Sequence, residues 1–164
     1  NILDDVTSQL VVTVATCGSI SAYCTAGTTT NGCNAAISGA GTPDANAGSG
    51  FVLSATNVEG QKQGLFFYGI SNAGFSPVPW GTSTSFLCVK APTQRMSVLN
   101  SGGTLGQCDG VLSADWNACV TSGQIGLGAP FAGGEQVFAQ AWFRDPPSTK
   151  TTHLSDALEF LFCP

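Results

Sequence analysis

The sequence is poor in charge: 9% of its 164 residues are Asp, Glu, Lys or Arg, against about a quarter in an average soluble domain. Lys and Arg together number five, and the net charge is −5. Five cationic side chains are too few to follow a phosphate backbone, so we expect no nucleic-acid partner. Surface hydration must then come from Ser, Thr, Asn and Gln. This composition is common in secreted sandwiches and in proteins that pack against copies of themselves.

The sequence also lacks the patterns of a metal centre and of a membrane anchor. His153 is the single histidine and no Cys-x-x-Cys pair occurs, so a zinc site is poorly supported, and we predict no metal or other cofactor. No apolar run approaches the ~20 residues that span a bilayer, so we expect no membrane insertion. The chain begins at Asn1, and we expect any export signal to have been removed.

Cysteine, by contrast, is abundant for a chain of this length. Disulfides explain these residues better than a metal does, and they predict an oxidising location, extracellular or at the cell surface. Seven is an odd number, so at least one cysteine is free, modified or bonded to another chain. We expect the unpaired one near the chain ends, where Cys17 and Cys163 lie. The cysteines are Cys17, Cys24, Cys33, Cys88, Cys108, Cys119 and Cys163.

Turn-forming residues between cysteines suggest two local pairings. Cys24 and Cys33 flank the segment TAGTTTNG, and Cys88 and Cys108 flank another Gly-rich excursion. Cys108 with Cys119 is the rival to the second pairing. A bridge requires Cα atoms within about 7 Å of each other, a distance that the sequence leaves open.

Apolar and β-branched runs separated by Gly, Pro, Ser and Thr predict an all-β fold. We expect an antiparallel, jelly-roll-like β-sandwich with disulfides and long Gly/Ser/Thr-rich loops. The clearest strand alternates Val137, Ala139, Ala141 and Phe143 on one face with four other residues on the opposite face. The predicted strands are 7–16, 50–58, 64–70, 85–91, 95–99, 136–144 and 156–163, with a short helix at 113–120 and long loops at 26–50, 71–84 and 121–134.

Residues 1–16 form a segment of their own ahead of a single sandwich domain, 17–164. The run from Gln9 to Thr16 is apolar on both faces, which indicates a strand covered on two sides. This run either pairs within its own sandwich or joins a neighbour. For the residues before it we expect contact with a neighbouring copy, through Ile2, Leu3 and Val6.

The chain from Tyr23 onward resembles an uncharacterised β-rich domain of exported proteins in planctomycete-type bacteria. The resemblance implies export and a β-rich domain, and it implies no catalytic activity; residues 1–16 lie outside it. The matching segments, in order along the chain, are YCTAGT (23–28), GC (32–33), GTP (41–43), SGFVLSA (49–55), VEGQKQGLFFYG (58–69), PWG (79–81), TSFLCV (84–89), Arg95, SGGTLGQCDG (101–110), Asp115, Asn117, QAWFRDP (140–146), LSDALEF (154–160) and the terminal Cys-Pro.

Catalytic machinery is not evident, and we predict that the protein is not an enzyme. His153, Ser155 and Asp156 include the residue types of a hydrolytic triad, but three near neighbours cannot be assumed to converge and no Gly-x-Ser-x-Gly elbow is present. We therefore expect an exposed turn capped by Ser155 or Asp156. The carboxylates that could form a glycosidase pair are Glu59, Glu135 and Glu159, each expected near a strand end or face.

An oxygen-rich loop carries Asp109, Asp115 and Asn117. Such loops can hold calcium, but the spacing does not match an EF-hand. We expect these side chains to cap turns instead, because local hydrogen bonding by Asp and Asn is common.

Large aromatic residues offer stacking platforms for sugar rings. Trp80 is the best candidate, because Pro77, Pro79 and Gly81 place it in a loop, although ordinary burial is the more common role of such side chains. Arg144 is expected to end its strand together with the Asp that follows it, and no binding role is assigned to either. The other aromatics considered are Trp116, Trp142, Tyr23 and Tyr68.

Three functions from different classes remain open at this stage. An extracellular structural subunit that polymerises with copies of itself explains the low charge, the odd cysteine and the extra N-terminal segment. A secreted carbohydrate-binding module, with surface glycans as partners, explains the sandwich and the loop aromatics. A secreted hydrolase lacks a recognisable site. The first function is our prediction and the second is its alternative.

Overall fold

Antiparallel strands dominate residues 16–164, the part of the chain that this computed structural model describes. The elements are β1 (Ile20–Tyr23), β2 (Ala36–Gly41), β3 (Phe51–Val58), β4 (Gln63–Gly69), β5 (Val78–Pro79), β6 (Phe86–Leu87), β7 (Gln94–Arg95), β8 (Leu99–Asn100), β9 (Gly110–Asp115), α1 (Trp116–Thr121), β10 (Gln136–Arg144) and β11 (Thr152–Leu161). The larger sheet has the order β1-β11-β10-β4-β7, with β8 also beside β4. The smaller sheet has the order β2-β3-β9, and β5 pairs with β6.

The main core lies between the larger and the smaller sheet. In β3, Phe51, Leu53 and Ala55 are fully buried, while the residues between them are partly exposed, as expected for a strand with one face on the core. The facing side chains come from alternate residues of β10 and β11, among them Phe143 and Phe160, in the same cluster. The predicted antiparallel, disulfide-containing all-β sandwich is confirmed.

The larger sheet is covered on its outer face as well. Leu65, Phe67, Phe138 and Leu154 form a second cluster there, and residues from the chain between β4 and β7 pack on it. Burial on both faces explains why β4 reads as an almost unbroken apolar run. Gln140, fully buried in β10, is satisfied because its side-chain amide donates to the carbonyls of Phe86 and Ser155 and accepts from the Cys88 N–H.

Three disulfides connect segments that are far apart in the sequence. Cys17 pairs with Cys163, Cys24 with Cys88, and Cys33 with Cys108. All four candidates, Cys24, Cys33, Cys88 and Cys108, are therefore bonded, but the local pairings were wrong. The chain between Cys24 and Cys33 crosses from β1 in the larger sheet to β2 in the smaller one, so the two thiols bond within different layers.

The odd cysteine is Cys119, in α1, and not one near the chain ends. The alternative bridge between Cys108 and Cys119 was also wrong, because Cys108 is bonded to Cys33. Both end cysteines are paired with each other, because β11 runs beside the first described residues and brings Cys163 to Cys17, with Cα atoms 4.7 Å apart.

The predicted elements agree best where the residue pattern is strongest. Strand 136–144 is confirmed with its bounds, and 50–58 and 64–70 correspond to β3 and β4. The proposed helix at 113–120 was wrong for its first three residues, 113–115, which belong to β9, while 116–120 lie in α1. The proposed loop at 26–50 contains β2. The small residues of β2 give little β signal, and its pairing with β3 decides its conformation.

The predicted strand 7–16 lies, except for Thr16, outside the described residues. Within residues 16–164, no helix has the length and the apolar character that a bilayer crossing requires.

Candidate functional site

On one side of the sandwich, two strand edges have no further strand partner among residues 16–164. β1 is the last strand of the larger sheet and β2 is the last strand of the smaller sheet, and the two lie next to each other. Ile37 N donates to the Asp156 carboxylate at 2.7 Å and Cys163 N donates to Pro43 O at 2.8 Å, so the sheets are joined at the ends of this edge. Residues 38–42 lie between these bonds, mostly exposed and uncharged. We call residues 38–42 together with β1 the open edge.

The opposite side of the sandwich is closed by hydrogen bonds. Val111 N, in β9, donates to Ser101 O at 2.8 Å, and the Ser101 hydroxyl donates to Glu59 O at 2.8 Å. Gln61 N donates to Gly102 O at 2.7 Å. These contacts join the smaller sheet to the chain that follows β8. A strand from another molecule therefore finds more room at the open edge than at this side.

The N-terminal segment enters the described structure beside the open edge. Gly18 N donates to Leu161 O and Leu161 N donates to Ser19 O, next to the bridge between Cys17 and Cys163. Residues 17–19 are thereby attached to β11 and to the chain just after it. The intersubunit candidates Ile2, Leu3 and Val6 lie outside the described residues.

A second candidate site is a hydroxyl-rich cleft of about 270 Å³ at one end of the sandwich. Asp145 and His153 line it, and both are almost completely buried, with 0% and 2% of their surface exposed. Three loops supply its other residues: the β1–β2 connection, the β5–β6 turn and the β10–β11 connection. We call this set the hydroxyl cleft: Thr28, Thr29, Thr30, Thr82, Ser83, Thr84, Asp145, Pro147, Ser148, Thr149 and His153.

Asp145 and His153 are close but incompletely satisfied. Asp145 Oδ2 lies 3.5 Å from His153 Nδ1, and it accepts hydrogen bonds from the N–H and the hydroxyl of Thr30 at 3.0 and 3.2 Å. Asp145 Oδ1 and both nitrogens of His153 have no hydrogen-bond partner among the described residues. Burial lowers the pKa of His153 below its ordinary value of 6.5, although the Asp145 carboxylate opposes the shift.

Close packing holds the His153 ring in this position. A Cβ atom at Gly27 would lie 2.5 Å from His153 Nε2 and 2.4 Å from the Ser85 Cβ. Neither neighbour can move easily, because Ser85 and His153 are both buried. The position therefore requires glycine, and it places the backbone of the β1–β2 connection directly against the imidazole.

His153, Ser155 and Asp156, the residue types of a triad that the sequence did not favour, do not converge on one site. The Ser155 hydroxyl donates to Asp156 O and accepts from Ala141 N, and the Asp156 carboxylate accepts from Ile37 N. The expected exposed turn was wrong, because all three residues belong to β11 and His153 and Ser155 are buried.

Sequence reasoning missed the partnership of His153 with Asp145. The pairing of β10 with β11 brings them together: Arg144 pairs with Thr152, so the residues that follow each of them lie near the same end of the two strands. Asp145, assigned no binding role from the sequence, is the acid that faces the imidazole.

Trp80 does not present a free ring face on which a sugar could stack. Its ring packs half-buried in the outer cluster, its indole N–H donates to the Thr152 hydroxyl at 3.1 Å, and Lys150 Nζ lies 4.3 Å from the ring centroid. A sugar could stack on that face only by displacing the lysine. Trp80 also lines a groove of about 120 Å³ with Arg95 and Trp142. Its role in glycan binding stays a prediction.

The loop residues considered for calcium form turns and caps. Asp115 accepts from Ala118 N as the N-cap of α1 and from Gly50 N. Asp109 accepts from Thr104 N at 2.7 Å. Asn117, 1% exposed, bonds the loop that follows β2. These oxygens already accept backbone hydrogen bonds.

The three glutamates also have local partners. Glu59 lies 3.2 Å from Lys62 Nζ, Glu135 accepts from Ala132 N, and Glu159 accepts from the Gln136 amide. In the described part of the chain, no group of three or more His, Cys, Asp or Glu side chains is arranged to hold a metal ion.

Searches with this chain against models of protein families, curated proteins and solved structures found no match. The resemblance to exported planctomycete-type domains therefore stays a prediction.

Proposed function

We propose that the chain is a subunit of an extracellular fibre, in which residues 1–15 add as a strand to the open edge of the neighbouring copy. The observation that carries this proposal is the edge of β2. Sheet edges in natural proteins are usually blunted by charged residues or proline. Residues 38–42, with the sequence SGAGT, contain neither. Among the described residues, the β2 part of this stretch has a strand neighbour on one side, β3.

The N-terminal segment has the residue pattern that this edge requires of a donor. Between Gln9 and Thr16, both faces are largely apolar, and a strand added to an edge gains affinity from main-chain hydrogen bonds and register from its side chains. The donor segment and the acceptor edge are different surfaces of the same protein. Such a contact is head-to-tail and does not need to close, so it builds a filament.

The disulfide between Cys17 and Cys163 supports a mechanical role for this connection. It bonds the root of the N-terminal segment covalently to the end of β11, a strand inside the larger sheet. Tension on the segment would therefore pass into the sheet rather than peel it from the fold. Three disulfides are typical of chains that fold in an oxidising compartment, which supports a location outside the cell. The role is structural, without catalysis.

Removing the donor tests this proposal. We expect a chain that lacks residues 1–15 to fold and to elute as a monomer in size-exclusion chromatography, while the full chain forms filaments visible by negative-stain electron microscopy. A synthetic peptide of residues 1–15 should bind the truncated protein. Unchanged assembly after truncation, or a full chain that stays monomeric at high concentration, would contradict the proposal.

A charge at the acceptor edge gives an independent test. Ala40 is exposed on β2, so Ala40→Lys should abolish assembly with little change in melting temperature, because lysine protects an edge from pairing. The matched control is Thr56→Lys, an exposed position of the same sheet on its central strand β3. The control should assemble as the unmodified chain does. Equal loss of assembly in both variants would point to net charge and not to the edge.

A further inference from the structure

We propose that the hydroxyl cleft binds a neutral sugar ring, one residue of a glycan. This binding site is separate from the open edge that carries the fibre proposal, and it does not depend on assembly. Asp145 and His153 form its floor, and threonine and serine hydroxyls form its walls. Trp80, the residue favoured from the sequence for glycan stacking, is not among the lining residues.

The floor of the cleft favours a ligand that donates hydrogen bonds. Asp145 is 0% exposed, yet its Oδ1 has no partner among the described residues. Leaving a buried carboxylate oxygen unpaired is costly. Because Oδ1 is itself buried, a ligand hydroxyl supplies the missing donor when the loops of the cleft shift to admit it, and binding is then coupled to stabilisation of the site.

The walls of the cleft favour a ligand that can both donate and accept hydrogen bonds. The Thr30 hydroxyl donates to Asp145, which leaves its lone pairs available to a ligand. The hydroxyls of Thr82 and Thr149 are 3.0 Å apart, and either can donate the hydrogen bond between them. The pair can therefore offer a ligand either a hydrogen-bond donor or an acceptor. Sugar hydroxyls carry the same double capacity.

The charges at the cleft argue against anionic ligands. No lysine or arginine is among the lining residues, while Asp145 is, and a phosphate or a sulfate would face the carboxylate without a compensating cation. His153 supplies no such charge at neutral pH, because burial lowers its pKa. An apolar ligand would leave the wall hydroxyls unpaired.

The size of the cleft limits the ligand to about one ring. Its volume of about 270 Å³ lies just below the ~300–1,000 Å³ of pockets for drug-sized ligands. A second sugar residue would extend past the loops into solvent. A terminal residue of a chain therefore fits better than an internal one.

Ligand-observed NMR on the full chain tests the proposal with a panel of probes: the methyl pyranosides of glucose, galactose, mannose and N-acetylglucosamine. We expect saturation transfer to at least one of them. Calcium, zinc and inorganic phosphate serve as further probes in thermal-shift measurements. No transfer to any sugar overturns the proposal, and so does stabilisation by an ion in the absence of sugar binding.

Variants locate the site. Asp145→Asn removes the carboxylate charge and should weaken the best sugar by about tenfold. Because this buried change could also impair folding, the double variant Thr82→Val/Thr149→Val alters two exposed wall residues and should weaken the same sugar severalfold. Trp142→Phe, in the aromatic groove outside the cleft, should bind as the unmodified chain does. Loss of binding in Trp142→Phe with retention in the wall variant would overturn the proposal.

Discussion

At the scale of single residues, His153 shows how burial changes the chemistry of a side chain. Histidine is the residue whose ordinary pKa lies nearest to neutrality. Here the ring is 2% exposed, and desolvation favours its neutral form over the charged one. The neighbouring Asp145 carboxylate acts in the opposite direction. Because the neutral form is favoured in the fold, protonation of His153 works against folding.

The pH dependence of stability should follow from this shift. In the unfolded chain His153 takes up a proton near its ordinary pKa of 6.5, while in the fold its pKa is lower. The stability that depends on the neutral ring is therefore complete above about pH 6.5 and decreases as the pH falls from there towards the folded pKa. We expect the melting temperature to drop by a few degrees over this range, measured by differential scanning calorimetry.

His153→Gln isolates the effect. Burial raises the pKa of Asp156 above its ordinary 3.8, so this group changes stability in the opposite sense as the pH falls. Subtracting the stability profile of the variant from that of the unmodified chain removes the Asp156 contribution, which both proteins share. The variant should lose the decrease that begins near pH 6.5. Identical profiles would show that another group causes it.

At the scale of elements, the short helix α1 is positioned by its caps and by one buried amide. Trp116, the first helical residue, is fully buried against Tyr68 and Phe160. Asn117 follows it and bonds three backbone groups of the β2–β3 connection: its amide donates to Thr42 O and Ser49 O, and its carbonyl accepts from Asp44 N. A six-residue helix depends on such contacts, since isolated short helices are marginal in water.

Replacing this amide should therefore destabilise the fold. Asn117→Ala leaves several buried polar groups without partners, and we expect a loss of about 2 kcal/mol or more in the free energy of unfolding. Urea denaturation followed by tryptophan fluorescence measures it. Asn46→Ala is the matched control, an exposed asparagine of the same connection, and should change stability by less than about 0.5 kcal/mol. Similar losses in both variants would contradict the assigned role.

At the scale of the whole molecule, the disulfides connect parts of the chain that are distant in sequence. The three bridges span 146, 64 and 75 residues. A bridge that closes a long loop restricts the unfolded chain strongly, by about 4 kcal/mol for loops of this length in the chain-entropy description. The bridges are therefore a large part of the stability of a chain with few charges.

Removal of one bridge should be measurable directly. The double variant Cys33→Ser/Cys108→Ser opens the 75-residue loop and should lower the free energy of unfolding by about 4 kcal/mol. Cys119→Ser breaks no bridge and should stay within about 0.5 kcal/mol of the unmodified chain. Non-reducing peptide mapping should find Cys119 as the alkylated thiol. A free Cys24 or Cys33 in that map would contradict the connectivity.

The sequence by itself determined the class of the fold, because local patterns reflect local burial. The alternation of Val137, Ala139, Ala141 and Phe143 predicted a strand with the bounds that β10 has, and these four residues face the main core. Turn-rich punctuation and seven cysteines predicted an antiparallel, disulfide-bonded sandwich. In each case the signal lies within a few residues of the chain.

Only the tertiary structure decided which distant residues meet. The side chains of β2 are too small, and its glycines too many, for the sequence to predict a strand. Its pairing with β3 decides that it is one. Each cysteine bonds to the one that the packing of the sheets brings close in space, and not to the one closest in sequence. The cleft arises because three loops converge around Asp145 and His153. Each of these features depends on long-range contacts, and residue spacing along the chain does not specify distances between elements that are far apart in sequence.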